Sequence, residues 1–545
     1  MSRKTTITRN NSLVQAVRDA YRAGQEDESL EPIIAASRSG RPAGRLRTGD
    51  SVIFYDIRGE REVELSRSLT EARFHEFPRG RHPRVQWVTM ISYNRTLDAE
   101  VAFPPEERLQ NTLTEVITRS GLRVAKVAES EKAVHIGYFL NGKNDDVFAG
   151  ESRFIVPSPP GVASYALTPG MSARAVVEEI RARLDDRAFG LIIANLANVD
   201  VVGHIENKPA ALEAVEAVDA ALGQISEACR AGGVTLLVTS DHGTVEEWLY
   251  PDGTINTGHT RNPVPFILAD FSGRAGETTV RGDGELADVA PSVLYLLGID
   301  APPQMTGRSL VGGGRPAAGD GAPLVLLILD GWGLREDERG NLIHEARTRH
   351  FDRLWRECPH AVLGSSGEAV GMPPGTVGNS EAGHLHLGAG RRVLSDRVRI
   401  DRSIQDGSFF KNPVLGAAME RAIASRRALH LLGIVSHYSS HGTIDHLFAL
   451  LEMARLKGLD RVFIHALIGR RGERPESGAI YVDKVMARAG EIGCGELVTV
   501  MGRFWALDRE DNWDRVVKAY RALVQGEGTL VERPRRGGIE LPSPC

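Results

Sequence analysis

Three aspartates and three histidines in this chain stand at the ends of apolar runs or in the loops beside them. Asp330 closes the run Leu324-Val-Leu-Leu-Ile-Leu and is followed by Gly331-Trp-Gly333. Asp200 and His204 follow Leu191-Ile-Ile-Ala-Asn, and Asp241-His242-Gly243 follow Val234-Thr-Leu-Leu-Val-Thr-Ser. His259 lies among small residues in Asn256-Thr-Gly-His-Thr-Arg-Asn-Pro. Each alone has an ordinary explanation. An Asp and a His four apart are common on a solvated helix face, and a loop His is commonly a hydrogen-bonded surface group. Together they form a mixed carboxylate and imidazole donor set, which suits Mn²⁺ or Zn²⁺ better than Ca²⁺. Six side chains exceed what one tetrahedral ion takes, so the set predicts two divalent ions.

Two ions need a group to act on. Ser380, in Gly375-Thr-Val-Gly-Asn-Ser-Glu-Ala-Gly-His384, fits either of two roles. It is a helix cap, or it is a nucleophile whose hydroxyl, next to a metal, attacks phosphorus. Cationic residues follow several other apolar runs: Arg58 and Arg61, Arg503 and Arg509, His441, and Arg470-Arg471. Lys132 and His135 extend the group. Any single arginine here is explained by a surface salt bridge. Their repetition at run ends predicts a small polyanionic substrate, because guanidinium binds carboxylate and phosphate through two parallel hydrogen bonds.

The elements that would position these groups are strands. Continuous apolar runs bounded by Pro and Gly read as strands buried on both faces. Acids at their ends fall on the carboxyl edge of a sheet, where open α/β sheets place ligands. Elsewhere the pattern predicts a helix over 12–24, loop over 28–50, and strands at 51–56 and 86–92. A break at Pro104-Pro105 precedes a helix over 108–120, a strand over 123–128 and a helical stretch at 211–228. After helices at 286–297 and 348–356 come strands at 429–435, 461–467 and 496–501, with helices at 445–456, 478–491 and 513–524. Such alternation predicts α/β architecture throughout. Residues 311–322 are Gly- and Ala-rich and read as a linker, and 533–545 as a loose tail.

At 545 residues the chain is long enough for two domains. A net charge of −5 argues against a nucleic-acid partner. No apolar run is long enough for a membrane span, and residues 1–12 carry no secretory h-region. Cys229, Cys358, Cys494 and Cys545 form no close pair. These features predict a cytoplasmic protein with free thiols and no membrane partner, acting as a monomer.

The motifs Leu-Asp-Gly-Trp-Gly, Gly-Asn-Ser-Glu-Ala-Gly-His, Asp-His-Gly, Asn-Pro-Val-Pro and Gly-Arg…Asp-Arg…Trp-Asp-Arg together resemble one family. It is the cofactor-independent (2,3-bisphosphoglycerate-independent) phosphoglycerate mutases of the alkaline phosphatase superfamily, and the likeness spans nearly the whole chain. The order is rotated: residues 324–530 resemble the family's first part and 13–311 its second. The resemblance therefore implies a circular permutation, with 312–322 joining the ancestral termini. It also implies an alkaline-phosphatase-like, parallel-sheet metal domain over 107–394. A smaller α/β transferase domain would be assembled from 1–106 and 395–545, with hinges near 104–106 and 393–395.

Site roles follow from the same resemblance. One ion would be held by Asp200, His204 and His259, the other by Asp330, Ser380, Asp241 and His242. Mn²⁺ is the ion expected, with Zn²⁺ and Co²⁺ as alternatives, and no organic cofactor is implied. Ser380 would carry the phosphoryl group transiently. Arg58, Arg61, Arg503, Arg509, Arg471, His441 and Lys132 would bind the substrate's phosphate and carboxylate, and closure would exclude water. Two departures lie on the transferase side. Where the family has Asp-Gly-Arg-Asp, this chain reads Gly469-Arg-Arg-Gly472; where it has Ser-Asp-Gly-Gly-Val-His-Ser-His, this chain reads Ser436-His-Tyr-Ser-Ser-His-Gly-Thr443. The expectation is thus a glycolysis-related phosphomutase whose small phosphorylated hydroxy acid is 3-phosphoglycerate/2-phosphoglycerate or a relative, such as a phosphonate of specialised metabolism. A metal-dependent phosphohydrolase of the same superfamily is the alternative.

Overall fold

The computed structural model describes residues 13–80, 82–105, 108–273, 278–313, 323–437, 439–469 and 476–533. The chain forms two compact units, one of Glu106–Ser395 and one of Met1–Pro105 with Asp396–Cys545. Each is built on an eight-stranded sheet.

In the Glu106–Ser395 unit the centre of the sheet is Leu324–Leu329, hydrogen-bonded between Thr235–Thr239 and Leu191–Leu196. All six residues of the central strand are buried. Side chains alternate between faces along a strand. Val325, Leu327 and Leu329 accordingly pack into one apolar cluster, and Leu324, Leu326 and Ile328 into another on the opposite face. Each such side chain contributes about 1.5–3 kcal/mol by leaving water, which makes the strand's position costly to change. Outward from Leu191–Leu196 lie Val124–Glu129 and Glu151–Val156, all parallel. Outward from Thr235–Thr239 lie Val264–Asp270, His360–Gly364 and Asp283–Glu285. Val264–Asp270 runs antiparallel to both neighbours, so this sheet is mixed rather than wholly parallel. Helices Ala173–Asp186 and Lys208–Gly232 pack beside it, and the longer one is capped by Asn207 and ended by Gly233 in the left-handed region.

The second unit interleaves the two ends of the chain. Its strand order is Thr529–Glu532, Ile33–Ala36, Glu496–Gly502, Val462–Ile468, Leu429–Ile434, Ser51–Phe54, Gln86–Thr89 and Glu100–Val101. All pairings are parallel except that between Ile33–Ala36 and Glu496–Gly502. Residues 28–50, expected as loop, thus supply a buried strand. Its four residues are too few to show a period among the surrounding Gly, Arg and Ser. The helix expected over 108–120 is shorter, Leu113–Arg119, because Asn111 turns the backbone into the left-handed region at φ 58°. The linker expected over 311–322 begins as a short strand, Val311–Gly312, and residues 314–322 lie outside the described residues, as does the tail beyond Arg533.

Candidate functional site

The register of the central strands brings the three acids together. Leu329 pairs with Leu196 and Ile328 with Thr239, so the chain leaves three adjacent parallel strands at one level. Asp330 follows at once, and Asp241 after Ser240. Asp200 follows in the short helix Asn198–Gly203, and its backbone N–H donates to the Asp330 carbonyl at 3.1 Å. Gly331 makes this approach feasible. It sits at φ 82°, and a Cβ there would lie 2.8 Å from the Asp200 nitrogen.

Ser380 is the first residue of helix Ser380–Ala389, but it is not the cap. Asn379 caps the helix by accepting from the Ala382 N–H at 2.8 Å. The Ser380 hydroxyl is thereby left for the acids and their partners. Its Oγ lies 2.8 Å from Lys132 Nζ, 2.9 Å from His242 Nε2 and 3.3 Å from Asp330 Oδ1. The helix N-terminus behind it favours negative charge at this oxygen. Lys132 also donates to Asp200 at 2.7 Å and to Asp330 at 2.6 Å. It therefore stands among the acids of the Glu106–Ser395 unit, not with the arginines, which belong to the other unit.

The three histidines share one orientation. His204 Nδ1 faces the Thr257 carbonyl at 2.7 Å, His259 Nδ1 the Gly378 carbonyl at 2.9 Å, and His242 Nδ1 the Gly243 carbonyl at 3.2 Å. A carbonyl accepts only from N–H, so in the neutral imidazole each Nε2 carries the lone pair. These lone pairs converge. The Nε2 atoms of His204 and His259 are 3.0 Å apart and each is 3.2 Å from Asp200 Oδ1. His242 Nε2 lies 3.5–3.7 Å from Asp241, Asp200 and Asp330. Two imidazole lone pairs facing each other beside a carboxylate repel unless a cation or proton lies between them. The donor set fits divalent metal.

Charge in the site is correspondingly perturbed. Burial raises the Asp200 carboxyl, but Lys132, His204 and His259 outweigh it and hold Asp200 well below the usual range. Burial likewise opposes ionisation of Asp241, and His242, His384 and Lys132 overcome it. Asp330 is raised, by burial first and then by the Asp241 charge. His204 is raised chiefly by its bond to Asp200; His259 is raised by Asp200 against burial.

His384 and Asn195 were not among the expected site residues, yet both are fully buried here. His384 Nδ1 is 2.9 Å from the Ser380 carbonyl and 3.2 Å from Asp241 Oδ2. Asn195 Nδ2 lies 2.7 Å from Asp330 Oδ2 and 3.0 Å from His384 Nε2. Both orient the acids. The signals were the four-residue spacing of Ser380 and His384, which puts them on one helix face, and a lone amide inside an apolar strand.

In the other unit Arg58, Arg61, Arg503 and Arg509 lie close enough to depress the Arg61 guanidinium, after burial, by their mutual repulsion. Glu60 pairs with Arg58 at 2.6 Å and Arg509 at 3.0 Å, and Glu28 with Arg503 at 2.8 Å. His441 is buried against Glu62 rather than presented with the arginines. Arg471 lies outside the described residues.

The family model described as the metalloenzyme superfamily matches residues 12–301. The model described as the BPG-independent PGAM N-terminus matches residues 400–537. A 2,3-bisphosphoglycerate-independent phosphoglycerate mutase 2 of Methanosarcina acetivorans is 41% identical over 297 residues, covering 54% of this chain and 56% of that protein. The 2,3-bisphosphoglycerate-independent phosphoglycerate mutase of Moorella thermoacetica is 43% identical over 298 residues, with the same two coverages. The chain thus spans just over half the length of the curated relatives it matches. Among solved structures, the Leishmania mexicana phosphoglycerate mutase at low cobalt concentration is 26% identical with a TM-score of 0.38, covering 51% of this chain and 53% of that one. No helix among the described residues is long and apolar enough to cross a membrane. The chain belongs to the metalloenzyme superfamily and carries, after that region, a segment of the BPG-independent PGAM N-terminus type.

Proposed function

We propose that this protein is an isomerase that moves a phosphoryl group between hydroxyls of a small phosphorylated hydroxy acid, by way of a phosphoserine at Ser380. The observation that carries the reading is the Ser380 hydroxyl, held by Lys132 and His242 at the carboxyl edge of three strands that end in acids. The relatives' names supply the reaction type. Asp200, His204 and His259 would hold one divalent ion, and Asp330, Ser380, Asp241 and His242 a second, with Mn²⁺ the expected metal. Bound there, the ions would supply Lewis-acid stabilisation of an in-line displacement at phosphorus. The remaining chemistry belongs to the chain. Lys132 offsets charge developing on the serine oxygen and the phosphoryl group. The helix N-terminus at Ser380 favours the phosphorylated state. Arg58, Arg61, Arg503, Arg509, Arg471 and His441 would bind the substrate's anionic ends.

The reading includes a circular permutation. Its support is the order of the matches: a segment described as an N-terminus lies at 400–537, after the superfamily match at 12–301. A strand from the latter half, Leu324–Leu329, also lies between two strands from the first half. The metal domain would then be 107–394 and the transferase domain 1–106 with 395–545.

The deciding measurement is ³¹P NMR of the Mn²⁺-loaded protein with 3-phosphoglycerate. Appearance of the 2-phosphoglycerate resonance is expected if Gly469 and Gly472 are compensated. Turnover only of a related phospho- or phosphono-hydroxy acid would assign the specialised substrate. Free phosphate without isomer overturns the mutase reading in favour of a phosphohydrolase.

A further inference from the structure

The amino edge of the second unit's sheet carries cations that the proposed reaction does not use. Leu429 pairs with Ser51 and Ser51 with Gln86, so strands Leu429–Ile434, Ser51–Phe54 and Gln86–Thr89 begin at one level. Arg427, Arg47 and Arg84 stand just before these three strands. Neighbouring strands lie about 4.8 Å apart, so the three arginines follow one another along the edge. Gly49 lies between two of them. Its N–H donates to the Arg84 carbonyl at 2.9 Å, and a Cβ on it would meet Arg427 Nε at 3.3 Å. Arg58, Arg61 and Arg503 follow the opposite, carboxyl ends of strands in the same sheet. The six residues of Leu429–Ile434 rise roughly 20 Å, which separates the two groups.

The charge on the amino edge is unanswered. Arg47, Arg84 and Arg427 are exposed, and among the described residues none of their side chains makes a hydrogen bond or ion pair. Asp50, in the same stretch, is buried and engaged elsewhere. It accepts from the Arg47 N–H at 2.8 Å and the Ala428 N–H at 3.1 Å, and lies 3.2 Å from His430 Nε2. One strand further along, Arg461 is accompanied by Asp460, so the free charge centres on Arg427, Arg47 and Arg84. Cations this close repel one another, since screening takes about 8 Å at physiological salt. A multivalent anion laid across them is attracted by all three. Guanidinium groups suit phosphate because each can donate two parallel hydrogen bonds.

A cavity of about 580 Å³ adjoins the row, and Arg84 is part of its wall. Leu69, Val85 and Trp87 give it apolar surface, and Thr70, Gln86 and Asp98 polar surface. That volume and that mixture are those of a site for a small organic ligand. Trp87 is only 4% exposed, and its Nε1 has no hydrogen-bond partner; neither has Nδ1 of His82, also on the wall. Buried polar atoms are rarely left unpaired, and a heterocycle reaching them would supply partners. Glu100, also on the wall, is occupied by Arg421 at 2.7 Å, which leaves Asp98 as the acid available to sugar hydroxyls.

We propose that this edge binds a nucleoside polyphosphate, with the phosphates across Arg427, Arg47 and Arg84 and the nucleoside in the cavity beside them. The site is distinct from the acids around Ser380 and from the arginines assigned to the substrate.

Calorimetric titration of the full chain with ATP in metal-free buffer tests it, beside the double variant Arg84→Gln/Arg427→Gln and the variant Arg58→Gln. Wild type should bind ATP saturably. The double variant should bind at least about tenfold more weakly, for the loss of charge-assisted hydrogen bonds. Its two side chains hold nothing in the fold, so it should melt with wild type. Arg58→Gln, at the other edge, should bind ATP as wild type does. Absence of ATP binding overturns the proposal, as does a loss in Arg58→Gln that the double variant does not show. Inorganic triphosphate binding as tightly as ATP overturns it too, since the cavity would then hold nothing. None of these readouts uses turnover, so they stand apart from the mutase reading.

Discussion

Lys132→Met separates the electrostatics of the Ser380 site from its chemistry. Lys132 Nζ makes ion pairs of 2.7 and 2.6 Å with Asp200 and Asp330, and all three side chains are buried. Burial disfavours the ammonium, but Asp330, Asp200 and Asp241 more than compensate and raise its pKa. A lysine with a raised pKa contributes its stability in full below the unfolded value, so the contribution is complete at neutral pH. Methionine keeps the length and removes the charge, leaving the carboxylates without their cation. Breaking a buried ion pair from one side costs about 3–5 kcal/mol. For a unit of about 290 residues, unfolding entropy of about 2.1 cal/mol/K per residue converts each kcal/mol to about 1.6 °C. Metal-free Lys132→Met should therefore melt roughly 5–8 °C below metal-free wild type. With saturating Mn²⁺ the gap should shrink to a small fraction, because the ions supply the missing positive charge and binding adds RT ln(1 + [L]/Kd) to the folded state. Differential scanning calorimetry with and without chelator measures both gaps. A loss of equal size in the two conditions would refute the reasoning, since the lysine would then act by packing alone.

Three further outcomes are expected. Ser380→Ala should lower phosphoryl transfer by at least about 10⁴-fold and abolish ³²P incorporation into the protein, which is read by gel after substrate labelling. Transfer at wild-type rate would remove Ser380 from the mechanism. Metal affinity should rise with pH, because His204 and His259 have raised pKa values in the metal-free protein and must shed protons to bind. Below those values the gain should be about ten- to a hundredfold per pH unit, for one or two protons released, as calorimetric titration at pH 5.5 and 6.5 will show. A pH-independent affinity would place the metal elsewhere. The same shifts carry a stability sign: both histidines stabilise the metal-free fold fully below their ordinary value of 6.5 and lose that contribution as pH rises through the folded values. Finally, a chain rearranged so that residues 323–533 precede 13–313 should fold and bind the same number of Mn²⁺ ions. Failure to fold under any linker between the old ends would count against a permuted ancestry.

The acids at the carboxyl edge were legible in the sequence for a simple reason. A strand buried on both faces is written as an unbroken apolar run, so its end is visible, and an acid there has few places to go. That logic holds for Asp330, Asp241 and Asp200, which end three neighbouring strands. It weakens where the strand is short or the polar residue lies inside the run. Ile33–Ala36 has four residues and no period, and its pairing is supplied by Glu496–Gly502 and Thr529–Glu532, far away in sequence. Asn195 is internal to its strand, and only the approach of Asp330 from a neighbouring strand gives its amide a purpose.

The contrast between Lys132 and the arginines carries the same lesson into function. All are cations after strands, and residue type alone groups them. The structure separates them by what they face. Lys132 is buried with two aspartates and the serine hydroxyl, where a compact ammonium can answer three oxygens at once. Arg58, Arg503 and Arg509 are paired with Glu60 and Glu28, carboxylates that an anionic substrate could displace. The exposed pairs of Glu60 with Arg58 and Arg509 are worth about 0–1 kcal/mol each, so exchanging that glutamate for a phosphate costs little. The buried lysine pairs cannot be exchanged so cheaply. On that physical ground the proposed reaction would use Lys132 beside Ser380 and the arginines for recognition.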